Sequence, residues 1–121
     1  MEIKIIKKSV TRSELREMAR QGFGDMVKAV VDTKQGIMAI GGELHADEEV
    51  VLVEEEGAER EYAWGINLYP DPPEGGEGEG FIEFNSMINI KPHLGNRSRG
   101  VEDADIRKKI QEVVKKLLKE E

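Results

Sequence analysis

Apolar positions recur along this chain with two spacings: a period of about 3.6, which marks an amphipathic helix, and a period of two, which marks a strand. Met1–Ser9 alternates as a short strand with Ile3 and Ile5 on one face, Ile6 breaking the pattern. A helix is expected from Arg12 to Gln21, with Leu15, Met18 and Ala19 as its buried stripe. Thr11 and Glu14 have the spacing of a capping box, Val10 and Leu15 that of a hydrophobic staple, and Gly22 is a natural stop. Met26–Val31 and Ile37–Ile40 flank Asp32-Thr33-Lys34-Gln35-Gly36 and read as a hairpin. Both runs are apolar at nearly every position, so they belong in the middle of a sheet covered on both faces.

His45–Glu56 reads two ways. Asp47 as N-cap, acids in the first turn and Gly57 as a stop favour a helix, whereas Val50, Val51 and Val53 favour a strand. The helix is the expectation taken here. Tyr62–Tyr69 and Ile82–Ile90 each alternate, predicting two half-buried strands with one apolar and one more polar face. The last helix is the clearest element: Ile106, Ile110, Val113, Val114 and Leu117 form one stripe behind Asp103 as cap. The order β-α-β-β-α-β-β-α predicts an α+β fold, a mainly antiparallel sheet of about five strands with two or three helices packed on one face. Residues 1–121 are expected to form a single domain, with a mobile acidic Pro/Gly loop at 70–80.

Composition narrows the chemistry. Charged residues make up 36% of the chain, well above the usual quarter, so the surface is densely ionic. With no cysteine, disulfides, thiol catalysis and cysteine-bound metals are out. No apolar run approaches the roughly 18 residues that cross a bilayer, and Met1-Glu2-Ile3-Lys4 opens no signal peptide; a soluble, cytoplasmic protein is expected by default. Abundant Glu and Lys lean toward a heat-adapted source. The net charge of −7 gathers in residues 41–83, which carry one Arg against fourteen acids. Such a middle would repel a nucleic-acid backbone. Arg12, Arg16 and Arg20 share one helix face, but Glu14 and Glu17 flank them and no aromatic platform accompanies them, so a solvated face explains the row better.

Three groups of residues could carry chemistry. Gly41-Gly42-Glu43-Leu44-His45-Ala46-Asp47 sets an imidazole between two carboxylates just past a strand. His45 paired with Glu43 or Asp47 could move a proton or contribute to a metal site, although the spacing matches no metal signature. Asn96, Arg97, Ser98 and Arg99, between Gly95 and Gly100, offer two guanidinium groups and a hydroxyl to a phosphate or carboxylate. Internal pairing of Arg97 and Arg99 with the acidic middle is the competing role. Asn67, Tyr69, Glu83, Asn85 and Asn89 would project to one side if the last two strands pair, as a solvated face or a ligand- or subunit-binding surface. Neither a P-loop nor a Gly-x-Ser-x-Gly elbow is present.

Gly41–Asp47, Trp64-Gly65-Ile66-Asn67-Leu68-Tyr69-Pro70 and Asn96-Arg97-Ser98-Arg99-Gly100-Val101-Glu102-Asp103 together resemble a family of small uncharacterised prokaryotic proteins, a domain of unknown function. The similarity runs from about Ile3 to Leu118, departing at the Gly75–Gly80 stretch. It implies a free-standing small protein and carries no activity, cofactor or catalytic residue. Two functions stay open. One is a non-catalytic binding or assembly module, such as a homodimer. The other is a small enzyme whose Arg97 and Arg99 hold an anionic metabolite while His45 acts with Glu43 or Asp47. The second requires the two loops to meet.

Overall fold

The two apolar runs form the middle of the sheet. The computed structural model describes residues 2–72 and 81–120. Along the chain lie β1 (Lys4–Ile6), β2 (Val10–Thr11), α1 (Arg12–Gln21), β3 (Val27–Asp32), β4 (Ile37–Ile40), α2 (His45–Glu56), β5 (Ala63–Leu68), β6 (Ile82–Glu83), α3 (Ala104–Leu117) and β7 (Leu118–Lys119). Five strands make one sheet in the order β1-β4-β3-β5-β6, every pair antiparallel. β2 and β7 pair separately and in parallel, tying the start of α1 to the end of α3. The α+β class, the antiparallel sheet and the order of elements agree with the sequence pattern. The acidic loop expected to be mobile lies, from residue 73 to residue 80, outside the described residues.

Local signals act where the pattern put them. Thr11 accepts from the Glu14 amide at 3.0 Å, and the Glu14 carboxylate accepts from the Thr11 amide at 3.1 Å, completing the capping box. Asp103 caps α3 through the amides of Asp105 and Ile106. Between β3 and β4, the Asp32 carboxylate accepts from the amides of Lys34 and Gln35, and Gly36 closes the turn at φ 70°. A side chain at that φ would clash with its own backbone, hence glycine.

Three expectations are corrected. The helices are not gathered on one face. α1 and α3 cover the face formed by Val27, Ala29, Val31, Met38, Ile40, Trp64, Ile66 and Leu68, whereas α2 covers the opposite face around Val30, Ile37, Ala39 and Ala63. Strands apolar on both faces need cover on both, because an open face would leave Val30 and Ala39 in water. Residues 62–69 do not make a half-solvated strand either: Tyr62 ends a 3-10 turn and is exposed, and all of β5 is buried. Finally, the strand expected over Ile82–Ile90 is two residues long, followed by a 3-10 turn at Met87–Asn89.

The physical reason for that short strand is Asn89. Its side-chain Oδ1 accepts from the Gly65 amide at 2.8 Å, and its Nδ2 donates to the Gly65 carbonyl at 2.9 Å. One carboxamide thus replaces the backbone partner that a longer β6 would have supplied. Gly65 also lets Ser86 approach closely, since a Cβ there would lie 2.5 Å from the Cβ and Oγ of Ser86.

Candidate functional site

α2 begins without a side-chain cap. The residue before it is Leu44, which has no side-chain acceptor, so among the described residues no side chain caps the first amides, those of His45 and Ala46, at the positive end of the helix. Asp47, expected as the cap, sits instead inside the first turn and points to solvent. Helical spacing buries His45, Glu48, Glu49 and Leu52 on the sheet and leaves Val50 more than a third exposed. The covered stripe of this helix is therefore largely polar.

His45 is 8% exposed and reaches the edge of β5, where its Nε2 lies 2.8 Å from the Ile66 carbonyl. A carbonyl can only accept, so Nε2 carries the hydrogen and donates it, leaving Nδ1 as the basic atom of a neutral ring. The same ring packs against Gly65: a Cβ there would come within 3.1 Å of its Cδ2. Around it opens a cleft of about 300 Å³ lined by Lys28, Leu44, His45, Ala46, Ser86, Met87, Ile88 and Arg99. Two cations, an imidazole, a hydroxyl and a helix N-terminus line this cleft, and among the described residues no carboxylate does. Among the described residues neither Lys28 nor Arg99 forms an ion pair. Lys28 lies instead over the ring of Phe23, 5.0 Å from its centroid.

Burial, reinforced by Lys28 and Arg99, holds the His45 ring below the usual histidine range, while the Ile66 carbonyl and the Asn67 side chain pull the other way. Beside it, Glu48 is fully buried and its carboxyl is pushed up to about 9, chiefly by burial. Its Oε2 accepts from the Gly42 amide at 2.9 Å, and its Oε1 has no partner among the described residues. Asn67, on β5, donates through Nδ2 to Glu83 at 2.8 Å and leaves a buried Oδ1 unpartnered among the described residues. Both orphan atoms belong to side chains on the α2 side of the sheet. Polar groups so placed are costly unless neutral or satisfied, and they concentrate where proteins handle ligands.

The two loops singled out in the sequence do meet, through His45 and Arg99. Their other members go elsewhere. Glu43 and Asp47 are exposed and do not line the cleft. Asn96 is buried and structural: its Nδ2 donates to the carbonyls of Asn89, Ser98 and Gly100, and its Oδ1 accepts from the Glu102 amide. The amides of Arg97 and Ser98 donate to the Glu102 carboxylate, which caps the loop from below. Of the sheet-face group, Tyr69 and Asn67 both donate to Glu83, Asn85 is half-buried, and Asn89 is fully committed to Gly65 and to the Arg99 carbonyl. The Arg99 backbone is thereby pinned, while its side chain makes no ion pair among the described residues. Among the described residues no three His, Asp or Glu side chains converge as a metal ligand set.

Lys28, Glu48 and Ser86 escaped the sequence reading. Lys28 had a signal, as the one cation inside an apolar strand run; Ser86 and Glu48 had none beyond their position relative to residues distant in the chain.

No helix among the described residues is long and apolar enough to cross a membrane. No curated protein and no solved structure matches the chain. The match to a protein family is extensive, covering residues 4–117 and with them the whole sheet, all three helices and every residue of the cleft. The chain therefore belongs to DUF5674, a family described as a protein of unknown function.

Proposed function

We propose that this protein is a binding module for a small anion, a phosphorylated or carboxylated compound held in the cleft between the start of α2 and the 96–100 loop. The observation that carries this reading is the meeting of Lys28, His45 and Arg99 in one cleft that, among the described residues, no carboxylate lines. Arg99 offers a planar fork of donors, Lys28 a point charge, and the open amides of α2 a fixed partial charge. Leu44 and Met87, 54% and 64% exposed, flank the opening and provide apolar surface for the rest of the ligand. Titration with inorganic phosphate, followed by backbone NMR, tests the reading. Shifts should map to residues 28, 44–46, 86–88 and 99, and the double variant Lys28→Ala/Arg99→Ala should weaken binding by about tenfold or more. Unchanged phosphate affinity in that variant would overturn it.

A second reading makes the same cleft catalytic, with His45 as proton acceptor for an anionic metabolite. It is favoured by the fixed tautomer, which turns a basic Nδ1 away from the Ile66 carbonyl. Its original partners, Glu43 and Asp47, do not stand on the wall, so the substrate or a water would have to supply the second proton-transfer group. Self-association is supported by the exposed apolar side chains of Leu44, Met87, Ile90 and Leu94. Sedimentation as a strict monomer at micromolar concentration would count against it.

A further inference from the structure

The cleft places the His45 ring beside two cations, Lys28 and Arg99, and that arrangement has a thermodynamic consequence for any anion that enters. This step rests on the anion-binding reading above. We propose that anion binding in the cleft is coupled to protonation of His45, with Nδ1 taking up a proton as the anion settles beside Lys28 and Arg99.

The Ile66 carbonyl fixes the Nε2 hydrogen, so a second proton can add only at Nδ1. The ring is almost wholly buried, and Lys28 and Arg99 line the same cleft. A third positive charge there is disfavoured by lost hydration and by two like charges. A bound dianion cancels those charges and adds attraction, so the cost of charging the ring falls. By linkage, a ligand that favours the protonated ring must bind more tightly when the ring is protonated.

The other groups facing His45 do not supply this compensation by themselves. From β5, Asn67 presents a neutral amide. On α2, burial pushes the Glu48 carboxyl up to about 9, which favours its neutral form. From β6, the Glu83 carboxylate is engaged by Asn67 and Tyr69 and does not line the cleft. Ser86, Met87 and Ile88 bring no charge. Among the described residues none that lines the cleft is acidic, so the negative charge beside the ring comes from the ligand.

Sulfate is the probe, because its charge does not change between about pH 6 and about pH 7.5, so any proton taken up belongs to the protein. Calorimetry in two buffers of different ionisation enthalpy should show net proton uptake on binding, and the affinity should fall about threefold or more over that pH range. NMR titration of the His45 ring should show its midpoint moving up when sulfate is present. His45→Gln, which keeps a donor for the Ile66 carbonyl, should bind sulfate without proton uptake and with an affinity flat in pH. Sulfate binding that is flat in pH in the unmodified protein, with no proton uptake, would overturn the coupling and leave the site standing. Absence of sulfate binding at both pH values would overturn the site and the coupling together.

Discussion

The two faces of the sheet are built from the same strands and have opposite characters. On the α1 and α3 side every residue that β3, β4 and β5 present is apolar, and the helices answer with Leu15, Ala19, Ile110, Val113, Val114 and Leu117. On the α2 side the apolar contacts cover only part of the sheet, around Val30, Ile37, Ala39, Leu52 and Ala63. Beyond them come Lys28, His45, Glu48, Asn67 and Ser86. Alternation within a strand lets one sequence serve both purposes, since neighbouring residues face opposite ways. The first face supplies stability. The second gives up some of it to hold polar groups in a dry, fixed arrangement.

Four measurements would break or sharpen that contrast. Leu117→Ala, on the apolar face and fully buried, should lower unfolding free energy by about 3–5 kcal/mol in urea titration; a loss below about 1 kcal/mol would mean that this face is not the main core. Asn89→Ala removes the carboxamide that satisfies Gly65 and the Arg99 carbonyl, and should cost about 2–3 kcal/mol in the same assay. It should also loosen the 96–100 loop, seen as faster amide exchange at Ser86, whose amide donates to the Arg99 carbonyl.

Glu48 supplies the third, through pH. In the fold its carboxyl holds a proton up to about 9, against 4.5 as the ordinary value. Its raised value means that the folded state binds the extra proton, so this contribution is complete below about pH 4.5 and is lost as pH rises through about 9. Glu48→Gln has no proton to lose. It should flatten the pH dependence and stabilise the protein by about 2 kcal/mol at pH 8, read from urea midpoints at several pH values. A parallel decline in variant and parent would show that Glu48 is ionised in the fold. The smallest effect is expected on the solvated face of α1, where Arg16 meets Asp71 at 2.9 Å with both side chains largely exposed. Arg16→Ala should change stability by less than about 0.5 kcal/mol.

Most of the scaffold was legible in the chain itself. Helices α1 and α3 carry strong stripes and caps within a few residues of one another, and the β3–β4 hairpin is declared by its own turn. These are local devices, complete before any distant contact forms. The candidate site was legible only in fragments. His45 and Arg99 drew attention by residue type, but Glu43, Asp47, Asn96 and Arg97 drew it equally and are not on the wall. The alternation over Ile82–Ile90 suggested a strand because it records a preference for extended backbone, whereas the carboxamide of Asn89 competed successfully for the same partner.

Helix α2 marks the boundary between the two kinds of information. Its sequence determined that a helix was feasible, ending at Gly57 with φ 67°, although its valines favoured a strand. Only the tertiary structure decided that His45, Glu48 and Glu49 would be buried with Leu52 while Val50 faced outward. Their partners lie on other segments: the Ile66 carbonyl for His45, the Gly42 amide for Glu48 and the Arg60 guanidinium for Glu49. A helix rotates to satisfy the surface it lands on, and one buried unpaired polar group costs as much as a buried valine returns. What faces the cleft was therefore set by contacts between segments far apart in the chain, where no local pattern can register.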